Sequence, residues 1–210
     1  MTVPDLTPSA PTILFGGTFD PPHVAHLVLA ECAMHQYGAG SVVFLPAGDP
    51  YRKRTGAIAP AREVTPAADR VAMLAAAIAS NPAFVLDDRE TRRAGPSYTV
   101  DTLEEYAAEG HADLVLLLGS DALADLRHWK APERIARLAR VAAAPKGGGP
   151  LPDPGVPGLR VEEVAMPPLA ISSTLIRERL AAGLPVRYLV GEAVWRVIAE
   201  RGLYGMRGKA

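Results

Sequence analysis

Only one of the 210 residues, Cys32, is a cysteine. A single thiol excludes an intramolecular disulfide framework and a cysteine-rich zinc site. An excess of one charge sign is equally lacking: 22 Lys and Arg stand against 23 Asp and Glu, a formal net charge of −1. No global basic field exists to hold long nucleic acid, so anion binding has to come from a local cluster. No run reaches the roughly 18 uninterrupted apolar residues of a membrane span. Met1 to Thr12 lack a basic stretch followed by an apolar one, so neither a membrane segment nor a signal peptide is expected. A cytoplasmic protein is the default expectation. What is present is 49% apolar and 21% charged, a mixture that buries a core and argues against wholesale disorder. The length suits one α/β domain.

The first eleven residues carry three prolines, Pro4, Pro8 and Pro11, and read as a loose N-terminal extension. Beyond them, short apolar runs alternate with helical patterns. The runs are Thr12–Phe15, Ser41–Leu45, Phe84–Leu86, Asp113–Leu118 and Arg140–Ala144, with a weaker one at Leu159–Val164. Unbroken apolar runs suit strands covered on both faces. Leu27, Ala30, Met34 and Tyr37 mark one helical stripe, and Val71, Leu74 and Ile78 another. Shorter helices are expected over Tyr98–Glu109, Ala122–Arg127 and Pro132–Leu138, and two more near Ser173–Ala182 and Gly191–Arg201. This alternation predicts a doubly wound, Rossmann-like parallel α/β sheet with helices on both faces and a C-terminal helical segment. Two loops are long, Pro46–Thr65 and Pro145–Gly158. Long loops are often binding loops or lids, but the second reads first as a disordered surface insertion.

Two stretches carry chemistry. The first, Gly16-Gly17-Thr18-Phe19-Asp20-Pro21-Pro22-His23-Val24-Ala25-His26, reads as a strand end, a glycine turn and a helix start. Ligands of doubly wound sheets bind at such carboxyl ends. Gly16 and Gly17 allow close approach of a phosphate, and Thr18 offers a hydroxyl. His23 and His26, three apart, share one helix face and can donate to phosphate oxygens. Reading them as metal ligands would require a third ligand, and none is evident nearby. The bland alternative is a capped helix. The second stretch, Ile171-Ser172-Ser173-Thr174-Leu175-Ile176-Arg177, opens a helix with three hydroxyls and no acid in its first turn. That leaves the positive helix end for an anion, with Arg177 one turn in. Simple capping is the alternative.

The first stretch resembles the G-x-F-D-x-x-H-x-G-H signature of the nucleotidyltransferase superfamily, with Ala25 in place of the usual glycine. The second resembles its I-S-S-T-x-x-R motif, which grips a triphosphate opposite the histidines. Further strings are similar to those of bacterial nicotinate-mononucleotide adenylyltransferases from about residue 12 to 204. Phe44 to Gly48 leads to Asp49-Pro50-Tyr51-Arg52-Lys53, where the family usually has Pro-Pro-His-Lys. Lys53 is then the phosphate contact, although Arg52 to Arg54 could be a solvated charge run. Pro96-Ser97-Tyr98-Thr99 matches the family's P-S-Y-T, and Leu118-Gly119-Ser120-Asp121 with Trp129 matches its G-x-D…W element.

The resemblance implies a single nucleotidyltransferase domain over 1–210. That domain would transfer an adenylyl group from ATP to nicotinate mononucleotide, with Mg²⁺ accompanying ATP. His23, His26 and Arg177 are the expected catalytic residues. Gly16, Gly17, Thr18, Phe19, Lys53, Ser172, Ser173 and Thr174 are expected at the ATP phosphates. Thr99, Asp121 and Trp129 are expected at nicotinate mononucleotide. A loop tryptophan is a flat platform for a pyridinium, and Asp121 can accept from a ribose hydroxyl. Two plainer alternatives stand beside these: Ser97 as a helix cap, and Trp129 as a packing aromatic. Lys130 leans toward an acid acceptor. Trp195 and Cys32 read as packing. Nicotinamide mononucleotide as acceptor, or a catalytically silent nucleotide-binding regulator, are the alternative functions. The expected partners are small molecules, with no nucleic acid and no membrane, and a homo-oligomer is left open.

Overall fold

The computed structural model describes residues 10–55 and 63–206. Each leucine-, valine- or alanine-rich run becomes a strand, because its side chains alternate between two apolar faces. In chain order the elements are β1 (Thr12–Gly17), α1 (Val24–Tyr37), β2 (Val42–Pro46), α2 (Tyr51–Arg54), α3 (Ala67–Ile78), β3 (Phe84–Leu86), α4 (Arg89–Arg92), α5 (Thr99–Ala108), β4 (Leu114–Gly119) and α6 (Ser120–Asp125). A 3₁₀ turn (Leu126–His128) leads to α7 (Pro132–Leu138), β5 (Arg140–Ala144), β6 (Val161–Glu163), α8 (Ser173–Ala181), α9 (Arg187–Val190) and α10 (Glu192–Glu200). The strands form one sheet in the order β3-β2-β1-β4-β5-β6, with every neighbouring pair parallel. This is the expected doubly wound order, and the chain reverses direction across the sheet between β1 and β4.

Odd and even strand positions feed different layers. Ile13, Phe15, Val42, Phe44, Val115 and Leu117 pack on Leu29, Ala30 and Ala33 of α1 and on Leu74 and Ile78 of α3. Leu14, Val43, Leu45, Leu116 and Leu118 pack on Val100 and Leu103 of α5, Leu123 of α6 and Ile135 of α7. A third cluster joins Met73, on another side of α3, to Ile176, Leu180, Val186, Val190, Val194 and Ile198 of the C-terminal helices. Helix α3 is therefore buried on two sides, which fixes the C-terminal segment against it.

Several boundaries depart from expectation. The α1 stripe is only partly as read: Leu27, Met34 and Tyr37 are half-buried, and Leu29, Ala30 and Ala33 are the buried residues. All six pack against the first cluster. The Pro46–Thr65 loop contains α2, and residues 56–62 of it lie outside the described residues. So do residues 1–9 of the expected extension. The Pro145–Gly158 stretch is an ordered loop: Val156 is buried and Leu151 packs on the second cluster. Cys32 packs against the first cluster, and Trp195 against the third, with the Arg187 guanidinium 4.8 Å above its ring. Among the described residues no helix is long and apolar enough to cross a membrane.

Candidate functional site

At the β1–β4 reversal the sheet opens a cleft of about 180 Å³. Leu14, Leu45, Leu116 and Leu118 floor it. Gly16, Gly17, Thr18, Lys53, Thr99, Asp121 and Trp129 stand around it. The end of β1, helix α2, the first turns of α5 and α6, and the 3₁₀ turn before Trp129 put them there. The turn after β1 depends on Phe19, a non-glycine residue at φ 50°. That left-handed backbone folds the ring back into the core, where it is 2% exposed. A Cβ on Gly17 would stand 2.9 Å from that ring. Gly17 is therefore required by Phe19, and Phe19 can offer a ligand only its backbone.

The rim is held by polar side chains that bond to each other. Asp125, buried, accepts two hydrogen bonds of 2.7 Å from Arg52 and one of 3.2 Å from Trp129 Nε1. These bonds orient the indole, and they remove Arg52 from the solvated run it could have belonged to. Ser97 does not cap α5. Its Oγ accepts from the backbone N–H of Gly48 (2.8 Å) and Asp49 (3.3 Å), tying the loop after β2 to the loop before α5. The loop after β2 also lies so close to α4 that a Cβ on Gly48 would lie 2.2 Å from the Glu90 carbonyl oxygen. Glu90 is buried there and accepts from the Thr102 hydroxyl at 2.7 Å; burial raises its pKa. Lys130 Nζ is bonded to both oxygens of Asp101 (2.8 and 3.1 Å) and lies 4.5 Å above the Tyr98 ring. Arg70, 1% exposed in the first turn of α3, braces the whole edge. It donates to the carbonyls of Thr65 (2.9 Å), Thr18 (2.9 Å) and Gly48 (3.0 Å).

The histidines sit beside this cleft. Their rings stack with centroids 3.6 Å apart and planes 19° from parallel. His23 is the residue before α1, and its backbone N–H donates to His26 Nδ1 at 3.1 Å. An accepting Nδ1 puts the proton of neutral His26 on Nε2, which makes that atom a donor. Burial, with the charges of His23 and Lys53 adding, holds the His26 pKa well below its ordinary value. Burial first, and then the charge of Lys146, lowers that of His23 to about 4. Among the described residues, His23 Nδ1 is the only buried side-chain polar atom without a hydrogen-bond partner.

The first turn of α8 is tied to the same loop. Ser172 caps the helix by accepting from Leu175 N–H at 3.2 Å. The Ser173 hydroxyl donates to the Pro21 carbonyl at 2.9 Å. Arg177 donates to the Asp20 carbonyl at 2.8 Å and to the Thr174 hydroxyl at 3.1 Å. Tyr204 completes the attachment: its hydroxyl donates to Asp20 Oδ1 at 2.7 Å, and burial and that carboxylate push its pKa up.

The structure thus divides the expected residues. Gly16, Gly17, Thr18, Lys53, Thr99, Asp121 and Trp129 share the cleft. His23, His26, Phe19, Ser172, Ser173, Thr174 and Arg177 do not line it. Lys53 links the groups, lining the cleft while acting electrostatically on His26. Sequence reasoning missed Arg70, Glu90, Asp125 and Tyr204. Only Asp125, four residues before Trp129, carried a signal, because that spacing favours contact on a helical turn. Among the described residues there is no group of three His, Cys, Asp or Glu able to hold a metal ion.

A cytidylyltransferase-like family model matches residues 14–179. A protein of Acidothermus cellulolyticus, named a probable nicotinate-nucleotide adenylyltransferase, is 39% identical over 198 residues, covering 91% of this chain and 92% of its own length. A protein of the same name from Streptomyces coelicolor is 42% identical over 190 residues, covering 90% and 98%. The solved Plasmodium falciparum nicotinic acid mononucleotide adenylyltransferase complexed with NaAD superposes with a TM-score of 0.76 at 16% identity, covering 94% of this chain and 98% of that one. At that identity the likeness is one of fold.

Proposed function

The chain belongs to the cytidylyltransferase-like family, and on that premise we propose that it transfers the adenylyl group of ATP to nicotinate mononucleotide. The products are nicotinate adenine dinucleotide and pyrophosphate, and the reaction belongs to NAD biosynthesis. An oxygen of the acceptor's 5′-phosphate attacks the α-phosphorus in line. The new P–O bond forms as the bond to the β-phosphate oxygen breaks, and pyrophosphate leaves with that electron pair. The nucleophile is already an anion, so no general base is required. Catalysis is positioning plus neutralisation of charge.

The observation that carries this reading is the neutral His26, with Nε2–H as donor, beside a cleft that holds Trp129. His23 and His26 are assigned to the α-phosphate. Gly16, Gly17, Thr18, Lys53 and the Phe19 backbone are assigned to the ATP phosphates, with the α8 turn from Ser172 to Arg177. Ser172, Ser173 and Arg177 already bond within the protein, so much of their part is to hold the loop and the helix end. Trp129 is assigned to the pyridine ring, Asp121 to a ribose hydroxyl, and Thr99 with its neighbouring amides to the carboxylate. Lys130 is paired with Asp101, so the preference for an acid falls on those amides. Mg²⁺ would supply charge neutralisation on the triphosphate. The carboxylates at the cleft are individually paired, which fits a cation held by phosphate oxygens and water. A single nucleotidyltransferase domain over 1–210, working in the cytoplasm, belongs to the same reading.

Pyrophosphate release with ATP and Mg²⁺ tests it, comparing nicotinate mononucleotide, nicotinamide mononucleotide and phosphopantetheine. The acid should far exceed the other two. A faster reaction with the amide would overturn the carboxylate assignment, and silence with all three would overturn the reaction.

A further inference from the structure

Between the cleft and the histidines stands Lys146, which has no part in the assignments above. It follows the carboxyl end of β5, so the parallel sheet delivers it to the same edge as the loops after β1 and β4. Its Nζ lies 3.1 and 3.4 Å from the two oxygens of Asp121, at the cleft. The backbone just after it rests on the approach to α8. A Cβ on Gly148 would stand 3.2 Å from Pro168 Cβ, and one on Gly147 3.7 Å from Ala170 Cβ. One residue therefore reaches the acceptor cleft with its tip and borders the α8 segment at its root. The reading of the reaction puts the two substrates' phosphates between those places. The pair with Asp121 is exposed on both sides, 46% for the lysine and 76% for the aspartate. Exposed pairs of this kind hold weakly, and a phosphate offers more negative charge than one carboxylate.

We propose that Lys146 is a catalytic residue that leaves Asp121 when substrates bind and places its ammonium on the phosphate oxygens at the point of transfer. The exchange is charge-matched: Lys146 gives up a carboxylate for a phosphate, and Asp121 is released to accept from the acceptor's ribose. No covalent bond to either residue is made or broken. The depressed pKa of His23, to which Lys146 contributes, agrees with an ammonium within electrostatic reach of that imidazole. The proposal rests on the adenylyl-transfer reading.

Steady-state kinetics of Lys146→Gln, Lys146→Arg, Asp121→Asn and the Gln/Asn double variant test it. Both side chains are on the surface, so the fold is expected to persist. Lys146→Gln should lower kcat about a hundredfold, the scale for losing one oriented charged donor, with KM for nicotinate mononucleotide little changed. Lys146→Arg should restore most of the rate. Asp121→Asn should raise that KM and change kcat by less than about threefold, and the double variant should be as slow as Lys146→Gln. If Lys146→Gln keeps its kcat, or merely reproduces the Asp121→Asn phenotype, the lysine is only a structural partner and the proposal fails. If the unsubstituted protein forms no pyrophosphate, the reaction itself fails and the role of Lys146 falls with it.

Discussion

On one side of the loop after β1, a leucine floor and a polar rim enclose open space. On the other, His23, His26 and the first turn of α8 bond to the loop and to each other. The cleft is shaped by groups that bond one another in place: Asp125 with Arg52 and Trp129, and Ser97 with Gly48 and Asp49. The histidine flank is set before any ligand arrives, down to the tautomer of His26. The difference separates two tasks. The cleft recognises a molecule of a given shape, whereas the histidine flank presents fixed donors to phosphates that vary little in shape. Fixed donors need no reorganisation during reaction, which is where electrostatic catalysis gains most.

The substitution that breaks the contrast most severely lies under both flanks. Arg70→Met leaves the carbonyls of Thr18, Gly48 and Thr65 without their buried donor. It should cost about 4 kcal/mol of stability, since each buried orphan acceptor costs about 1–3 kcal/mol. A urea titration measures it, and stability near that of the unsubstituted protein would mean the loops hold without the brace. Acid should destabilise the protein through the histidine flank, against the opposite action of the buried Glu90 at the cleft, whose raised pKa favours the protonated folded form. His23 has an ordinary pKa of 6.5 and a folded pKa of about 4, so below 6.5 the unfolded chain takes up a proton that the folded one refuses. Stability is complete above pH 6.5 and drains away toward pH 4, by up to about 3 kcal/mol from His23 alone. His26 acts in the same direction. Urea midpoints at pH 7 and 5 should differ, and by less in His23→Gln.

Smaller effects should separate the flanks kinetically. His26→Ala should lower kcat about a hundredfold or more, with little effect on KM for nicotinate mononucleotide. Near-normal turnover would remove His26 from the chemistry. Trp129→Ala should do the reverse, raising that KM about tenfold through lost stacking with kcat nearly kept. If both variants changed both constants equally, the two flanks would be one unit.

The strands were legible because burial on both faces leaves unbroken apolar runs, and Phe84–Leu86 and Arg140–Ala144 fall where read. The short helices α4 and α9 were not, since one turn has too few residues to show a period. Motif residues could be located along the chain but not in space. Nothing in Ser97 says that it reaches back to Gly48 instead of forward to its own helix. Arg70 was the hardest to see. An arginine on a helix is usually solvated, and only the meeting of three loop carbonyls, those of Thr18, Gly48 and Thr65, gives it a reason to be buried. Lys146 was hidden likewise, because its partner Asp121 is joined to it by the sheet order.

The bond from Tyr204 to Asp20 spans 184 residues. The loop with the two histidines is translated early and the residue that latches it late. At roughly 5–20 residues per second, the ribosome holds the first half of the site for tens of seconds before the second half emerges. A nascent chain therefore carries the histidines without their latch until Tyr204 has been added.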